Sequence, residues 1–285
     1  MKVLIAGANG QVGRALQVTA PLGAQIIPTG VNDLDIRDAA AVATYVHDLA
    51  PSLIVNAAAY TAVDKAEADE AEALLLNRDA VANLSRAANA QGAGFVHIST
   101  DFVFEGIRSS PYPPDAAPAP VSAYGRTKFA GEQVAGKDAL IVRTSWVYAA
   151  QGDNFVLTML RLMAERDEVR VIADQIGTPT FATSIAQAVW ALAGQARTGL
   201  WHFTDSGTAS WYDFAVAIQE EALALGLLTR AVPVIPIATS GYPTPARRPQ
   251  YSVLDKSATI AALGRAAPHW RVNLRTMLKE VLADG

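Results

Sequence analysis

Residues 2–18 read KVLIAGANGQVGRALQV, and this stretch decides the fold. After Lys2 the run to Ala6 is wholly apolar, the pattern of a strand buried on both faces of a parallel sheet. It passes straight into Gly7-Ala8-Asn9-Gly10-Gln11-Val12-Gly13, a G-x-x-G-x-x-G spacing, and Arg14 to Val18 is compatible with a helix. Such a turn aims free helix N–H groups, and the positive end of the helix dipole, at a phosphate. The glycines let a pyrophosphate come close to the backbone. A glycine triplet alone marks only a tight turn. With a strand before it and a helix after it, Gly7, Asn9, Gly10, Gln11, Val12 and Gly13 become a candidate dinucleotide cradle.

Further along, Ala24 to Pro28 reads as the second strand and ends in Thr29-Gly30. A strict NAD site carries an acid there for the ribose 2′-hydroxyl. That acid is missing, and no arginine marks a 2′-phosphate, so NADPH and NADH both stay open. Asp38 has the position of a cap for a helix over Ala39 to Leu49. Leu53 to Asn56 is a short buried strand followed by Ala57-Ala58-Ala59. Those small side chains leave room for a flat group, or simply pack closely. Asp64 to Ala90 reads as one long helix from its apolar spacing, with Asn77 a buried, backbone-bonding group. Phe95 to Ile98 is apolar and runs into Ser99, Thr100 and Asp101. After a proline-rich loop, Tyr124-Gly125-Arg126-Thr127-Lys128 begins a helix, which puts Tyr124 and Lys128 on one face. A phenol beside an ammonium, facing a hydroxyl at a strand end, is a candidate proton-transfer unit. Ala139 to Thr144 is strand-like and leads to Ser145-Trp146-Val147-Tyr148.

Strands alternating with helices make this an α/β protein with a Rossmann-type doubly wound parallel sheet. Ligands of such sheets bind beyond the carboxyl ends of the strands. The glycine loop, Ala57 to Ala59, Ser99 to Asp101 and Trp146 all fall at such ends. Beyond Tyr148 the alternation weakens. Helices are predicted over Asn154 to Ala164, Thr183 to Ala193, Ser210 to Leu225 and Leu274 to Leu282. Strands are predicted over Val169 to Ile172 and Gly199 to Thr204, the latter able to rejoin the main sheet. The division expected is a dinucleotide-binding domain over 1–148, joined by about 183–205. A smaller, partly interleaved C-terminal substrate lobe takes 149–182 and 206–285.

The chain has 285 residues, 51% hydrophobic and 18% charged, which is a globular composition. Its net charge of −4 lacks the basic footprint of a nucleic-acid binder. There are no cysteines, so disulfides, thiolate catalysis and cysteine zinc sites are excluded. The four histidines have no metal-ligand spacing and read as structural. No apolar run is long enough to cross a bilayer. A soluble, cytoplasmic protein with no membrane partner is expected.

The glycine loop, STDFVF at Ser99 to Phe104 and YGRTKFAGE at Tyr124 to Glu132 together resemble the extended short-chain dehydrogenase/reductases. NAAAYTAVDKAE at Asn56 to Glu67, RTSWVY at Arg143 to Tyr148, NFVLTML at Asn154 to Leu160, DQIGTPT at Asp174 to Thr180 and RRPQYSVLD at Arg247 to Asp255 narrow the likeness. It becomes a resemblance to the dTDP-4-dehydrorhamnose reductase family over nearly the whole chain. The resemblance implies NAD(P)H-dependent reduction of the C-4 keto group of dTDP-4-dehydro-L-rhamnose to dTDP-L-rhamnose. It implies that Tyr124 protonates the new alkoxide, with its phenol tuned toward neutrality by Lys128 and the nicotinamide charge. Lys128 also bonds the cofactor ribose, and Thr100 holds the carbonyl oxygen. It implies substrate contacts from Asp101 and Trp146, a pyrophosphate contact from Arg248, and cofactor contacts from Asp35, Ile36 and Ala57 to Ala59. It makes the loop Pro111 to Pro120 a wall beside the sugar site. The family's usual Tyr after STD is Phe102 here, so a hydroxyl contact is lost. Some members bind magnesium at a dimer interface through carboxylates on the first helix. Gln11 to Thr19 carries none, which counts against that metal and that dimer and leaves monomer or homodimer open. Two alternatives stand beside this reading. One is another nucleotide-sugar reductase, epimerase or dehydratase, although a dehydratase carries an Asp-Glu pair where Asp101-Phe102 stands. The other is a non-catalytic NADP-binding regulatory subunit, which has no need of Thr100, Tyr124 and Lys128 together.

Overall fold

The computed structural model describes residues 1–284. Strand β1 (Lys2–Ala6) leads to helix α1 (Gln11–Val18), and β2 (Gln25–Thr29) with α2 (Ala39–Leu49) repeats the unit before β3 (Leu53–Asn56). Asp38 caps α2 as its position predicts, its carboxylate accepting the Ala40 and Ala41 amides. The helix expected over Asp64 to Ala90 is broken into pieces. These are α3 (Val63–Ala68), α4 (Glu70–Leu74), a π-helical turn (Leu75–Asp79) and α5 (Ala80–Gln91). The first break falls at Asp69, where φ is −142° and the side chain caps α4 through the Glu72 amide. The π turn seats Asn77, whose Oδ1 accepts the Tyr60 amide and whose Nδ2 donates to the Tyr60 carbonyl and Thr127 Oγ1. Breaks this short leave the apolar recurrence intact, so periodicity alone reads through them.

The chain continues through β4 (Gly94–Thr100), α6 (Ala123–Val134), β5 (Leu140–Thr144) and β6 (Val147–Tyr148). Next come α7 (Phe155–Glu165), β7 (Val169–Ile172), β8 (Ile176–Gly177), β9 (Thr180–Phe181) and α8 (Ala182–Gly194). The remainder is β10 (Gly199–His202), β11 (Ala209–Ser210), α9 (Trp211–Leu225), β12 (Val234–Ile237), α10 (Ser257–Leu263) and α11 (Trp270–Asp284).

Six strands form one parallel sheet in the order β10-β5-β4-β3-β1-β2. Strand order reverses between β1 and β3, and a doubly wound sheet opens its ligand crevice at that switch point. Along β1, Val3 and Ile5 pack on one face with Leu16 of α1 and Ile185 and Val189 of α8. Leu4 and Ala6 pack on the other with Val42 of α2 and Leu84 of α5. Burial on both faces is why the run is apolar without alternation. Although late in the chain, α8 covers the same face as α1, and β10 extends the sheet beside β5. A second core gathers Met159 and Met163 of α7, Phe214 and Ile218 of α9, and Leu274 and Leu278 of α11.

The proline-rich loop departs from its expected place. Tyr112 stacks on Phe104 with centroids 4.2 Å apart, its amide donates to the Val253 carbonyl, and its carbonyl accepts the Asp255 amide. No residue of 111–120 lines either large cavity. The loop is a strap tying residues 253–255 to the exit of β4, rather than a wall of the ligand site.

Candidate active site

The proton-transfer unit assembles where β4 ends. Thr100 is its last residue, and a tight turn at Asp101–Val103 follows. Thr100 Oγ1 donates to Asp101 Oδ1 at 3.1 Å and accepts the Phe102 amide at 3.2 Å. Helix α6 is started by Ser122, which accepts the Gly125 amide, and by Glu67, which accepts the Ala123 amide at 2.7 Å. Tyr124 and Lys128, four residues apart in its first two turns, lie at the end of β4, with Tyr124 beside Thr100 in one cavity wall. Phe102 meets the Tyr124 ring edge-on at 5.4 Å.

Electrostatics here follow from burial. The Lys128 ammonium is buried, donates to the Ile98 carbonyl at 2.7 Å and is brought down to about 8 by desolvation, with the Glu132 charge working against this. Burial likewise lifts the Asp101 carboxyl to about 6, although hydrogen bonds from Ser252 and Thr100 pull it back. Tyr124 is pushed up to about 12 by burial, against the pull of the neighbouring Thr100 hydroxyl. This differs from the expected tuning toward neutrality. In the chain alone Tyr124 is a firmly protonated phenol, an acid already loaded.

A cleft of about 1020 Å³ runs from this group to the glycine loop. Gly7, Asn9, Gly10, Gln11 and Val12 line one end, with Asp35 and Ile36 beyond them; Ala57, Ala58 and Ala59 form its floor; Thr100, Asp101, Tyr124, Lys128, Trp146 and Arg248 close the other end. Of the expected site residues only Gly13 stays outside, for a steric reason. A Cβ on Gly13 lands within 3.0 Å of the Gly7 carbonyl oxygen, and one on Gly7, whose φ is +78°, lands 2.5 Å from the Ala58 amide nitrogen. The loop therefore packs backbone on backbone. Gly10 starts α1 without a side-chain cap, which leaves first-turn amides available to an anion. The cleft thus suits a dinucleotide lying across the switch point, with its pyrophosphate at α1. Asp35 is bound by Arg37 at 2.8 Å, which holds its carboxyl below the usual range.

Trp146 sits in the left-handed region at φ +46°, a conformation costing about 1–2 kcal/mol outside glycine. Its ring stacks on Trp211 at 3.5 Å and 5°, and Gly177 packs against the same ring. Trp211 is the first residue of α9, and a start-of-helix position is all the sequence betrays of it. A Cβ at Gly177 would lie 2.5 Å from the Trp146 ring. Gly177→Ala is therefore expected to break the tryptophan stack, at about 1–3 kcal/mol of overpacking. The check is the near-UV circular dichroism spectrum together with the unfolding midpoint, and an unchanged spectrum would sink this account of Gly177.

A second cavity of about 510 Å³ shares Phe102, Trp146, Trp211 and Arg248 with the cleft. Its walls include Phe155, Met159, Leu162 and Val171, and its rim carries Arg161, Arg166 and Arg170. Sequence reading found only Trp146 and Arg248 of this set. Phe155, Met159 and Leu162 lie on α7 and Val171 on β7, and their apolar periodicity looks the same for a core as for a cavity wall. Arg248 meets Asp64 at 2.8 and 3.1 Å and also donates to Thr244 Oγ1 at 2.7 Å, so in this structure it ties its own segment to α3. His97 and His202 are buried and bonded to Asn56 and the Tyr112 carbonyl. Among the described residues no group of three or more His, Asp or Glu is gathered to hold a metal.

Comparison with known proteins gives a consistent result. The family model described as RmlD substrate binding domain matches residues 1–283. A dTDP-4-dehydrorhamnose reductase of Burkholderia thailandensis is 43% identical over 100% of this chain and 100% of its own. The crystal structure of a dTDP-4-dehydrorhamnose reductase from Clostridium acetobutylicum is similar with a TM-score of 0.93 at 38% identity, covering 99% of this chain and 100% of that one. Another from Bacillus anthracis, solved in complex with NADP, gives a TM-score of 0.92 at 36% identity over 98% and 99%.

Proposed function

The chain belongs to the RmlD substrate binding domain family, and we infer from this membership, together with the site's geometry, that it is an NAD(P)H-dependent reductase of a dTDP-sugar. It reduces the C-4 keto group of dTDP-4-dehydro-L-rhamnose to dTDP-L-rhamnose. The observation that carries this reading is the meeting of Thr100, Tyr124 and Lys128 in the glycine-loop cleft beside Phe102, which marks the junction with the second cavity by lining both. A ligand with a nucleotide at one end and a reacting carbonyl at the other fits that junction.

When bound, the reduced nicotinamide supplies the hydride. The residues of the chain do the rest. Thr100 holds the carbonyl oxygen where negative charge develops. Tyr124 gives its proton to the alkoxide oxygen and is left a phenolate, which the Lys128 ammonium stabilises. A phenol raised to about 12 stays loaded at neutral pH and still yields its proton to the more basic alkoxide. Lys128 also bonds the cofactor ribose, and Gly7, Asn9, Gly10, Gln11, Val12, Gly13, Asp35, Ile36 and Ala57 to Ala59 hold the remainder of the cofactor. Asp101 and Trp146 contact the sugar. Arg248 turns from Asp64 to the pyrophosphate, since a guanidinium suits either partner. The second cavity takes the nucleoside, with Arg161, Arg166 and Arg170 toward its phosphates. We assign residues 1–148 and about 183–205 to cofactor binding, and 149–182 with 206–285 to the substrate lobe. The protein acts in the cytoplasm as a monomer or homodimer and needs no nucleic acid.

Mixing the purified protein with dTDP-4-dehydro-L-rhamnose and NADPH or NADH tests the reading through the loss of nicotinamide absorbance. Oxidation with at least one cofactor is expected. Absence of oxidation with both overturns it and leaves a binding-only, regulatory role.

A further inference from the structure

The helix face that carries Tyr124 and Lys128 continues to Glu132, another four residues on. Its three side chains meet three successive residues of β4. Lys128 reaches the Ile98 carbonyl, Glu132 accepts from the Ser99 hydroxyl at 2.5 Å, and Tyr124 lies beside Thr100 in the cleft wall. Glu132 lines neither cavity. From the neighbouring strand Arg143, in register with Ser99, drives Nε and Nη2 into the same carboxylate at 2.8 and 2.6 Å. The pair is dry: the side chains are 2% and 6% exposed. Burying such a pair is costly, and apolar residues of similar volume often serve stability as well or better. Packing alone therefore does not account for it. Lys128 does: its ammonium is buried, and among the described residues it forms no salt bridge.

We propose that Glu132 is a positioning residue for the proton-transfer step: gripped by Ser99 and Arg143, it sets the register of α6 against β4 and supplies the buried counter-charge for the Lys128 ammonium. This rests on the roles given to Tyr124 and Lys128 above. The groups facing this region are few. From α6 there are Tyr124 and Glu132; from β4 and its exit, His97 and Asp101; from β5, Arg143. Burial and the Lys128 charge hold His97 well below its ordinary value, so it is neutral. On the outer side of the helix, Glu67 of α3 binds the Ala123 amide and Glu70 of α4 binds Arg126. The α5 side offers the neutral Ser85, bonded to the Ala135 carbonyl.

The test is the pH profile of kcat/KM for NADPH, which reports groups on the free enzyme. Burial brings Lys128 to about 8, so wild-type activity falls as pH rises through that value. Glu132→Gln removes the negative charge and leaves Arg143 unopposed. Both changes push Lys128 lower, so the alkaline limb moves down by about one pH unit, a roughly tenfold loss on the alkaline side. Arg143→Gln leaves Glu132 unopposed and moves the limb upward. A purely structural clamp would lower activity evenly across pH in both variants, and limbs coincident with wild type overturn the counter-charge. Ser99→Ala keeps both charges, and it guards against a Glu132 variant that fails to fold. It should lower kcat several-fold with the limb unmoved, and unchanged kcat overturns the register role. Tyr124→Phe separates the two levels. Full turnover in that variant sinks the reductase mechanism itself, whereas an inactive Tyr124→Phe beside unmoved limbs sinks only the role of Glu132.

Discussion

Replacing Tyr124 by Phe is expected to lower kcat by about 10²–10⁴-fold, the scale of a lost general acid, while NADPH affinity and the unfolding midpoint scarcely move. The ring keeps its edge-on contact with Phe102, and Lys128 keeps its bond to the Ile98 carbonyl. Thr100 still donates to Asp101 and accepts the Phe102 amide, so the cost of losing the hydroxyl is about 1 kcal/mol. The backbone cradle of the glycine loop and Ala57 to Ala59 is unaltered by the change, and cofactor binding has no reason to weaken. What disappears is the phenolic hydroxyl that lies beside Thr100 on the Lys128 face of α6. Steady-state turnover with the sugar nucleotide, set beside a titration of NADPH fluorescence, reads both halves. Wild-type kcat in Tyr124→Phe would sink the assigned chemistry. A joint loss of kcat and cofactor affinity would mean that the phenol holds the cofactor rather than the proton.

The parts of this site legible in the sequence are those set by neighbours along the chain. The unbroken apolar run of β1 implies burial on both faces, which only a covered parallel sheet supplies. The spacing of Gly7, Gly10 and Gly13 implies a backbone-on-backbone turn, and the close approach of Gly7 to Ala58 explains why alanines follow β3. Tyr124 and Lys128 are paired by helical periodicity alone. What stayed hidden depends on contacts between distant segments. Trp211 matters because Trp146, held at positive φ, lies flat on it, and no local pattern at Ser210-Trp211 points there. The second cavity lies between α7 and the segment 242–252, whose separation in sequence hides their meeting. The resemblance put the loop 111–120 beside the sugar site, and its prolines say nothing of where it docks. Likewise the single helix expected over Asp64 to Ala90 missed the π turn, whose reason lies on another helix.

That reason is Gly131, and Gly131→Ala is expected to separate the catalytic helix from its support. A Cβ built there falls within 3.0 Å of the Asn77 carbonyl oxygen and 3.4 Å from His97 Nε2. The obstacle is backbone rather than a flexible side-chain end. Asn77 is itself fixed by its bonds to Tyr60 and Thr127, so the π turn cannot retreat without breaking them. Helix propensity favours Ala over Gly by about 1 kcal/mol, whereas overpacking a tight interface costs about 1–3 kcal/mol, occasionally more. With a carbonyl as the obstacle the second effect wins, and α6 moves outward. Lys128 lies three residues before Gly131 and Glu132 directly after it, so the shift draws the ammonium from Ile98 and the carboxylate from Ser99. Both a lower unfolding midpoint and a kcat reduced by roughly tenfold or more are expected, since misplacement of catalytic groups by about 1 Å costs about 10²-fold. Gly194→Ala provides the contrast. It ends α8 with nothing within 4 Å of its Cβ, so only the propensity gain applies and stability should rise slightly. If thermal unfolding found Gly131→Ala as stable as Gly194→Ala, with kcat intact, the π turn would not be what holds Tyr124 and Lys128 against β4.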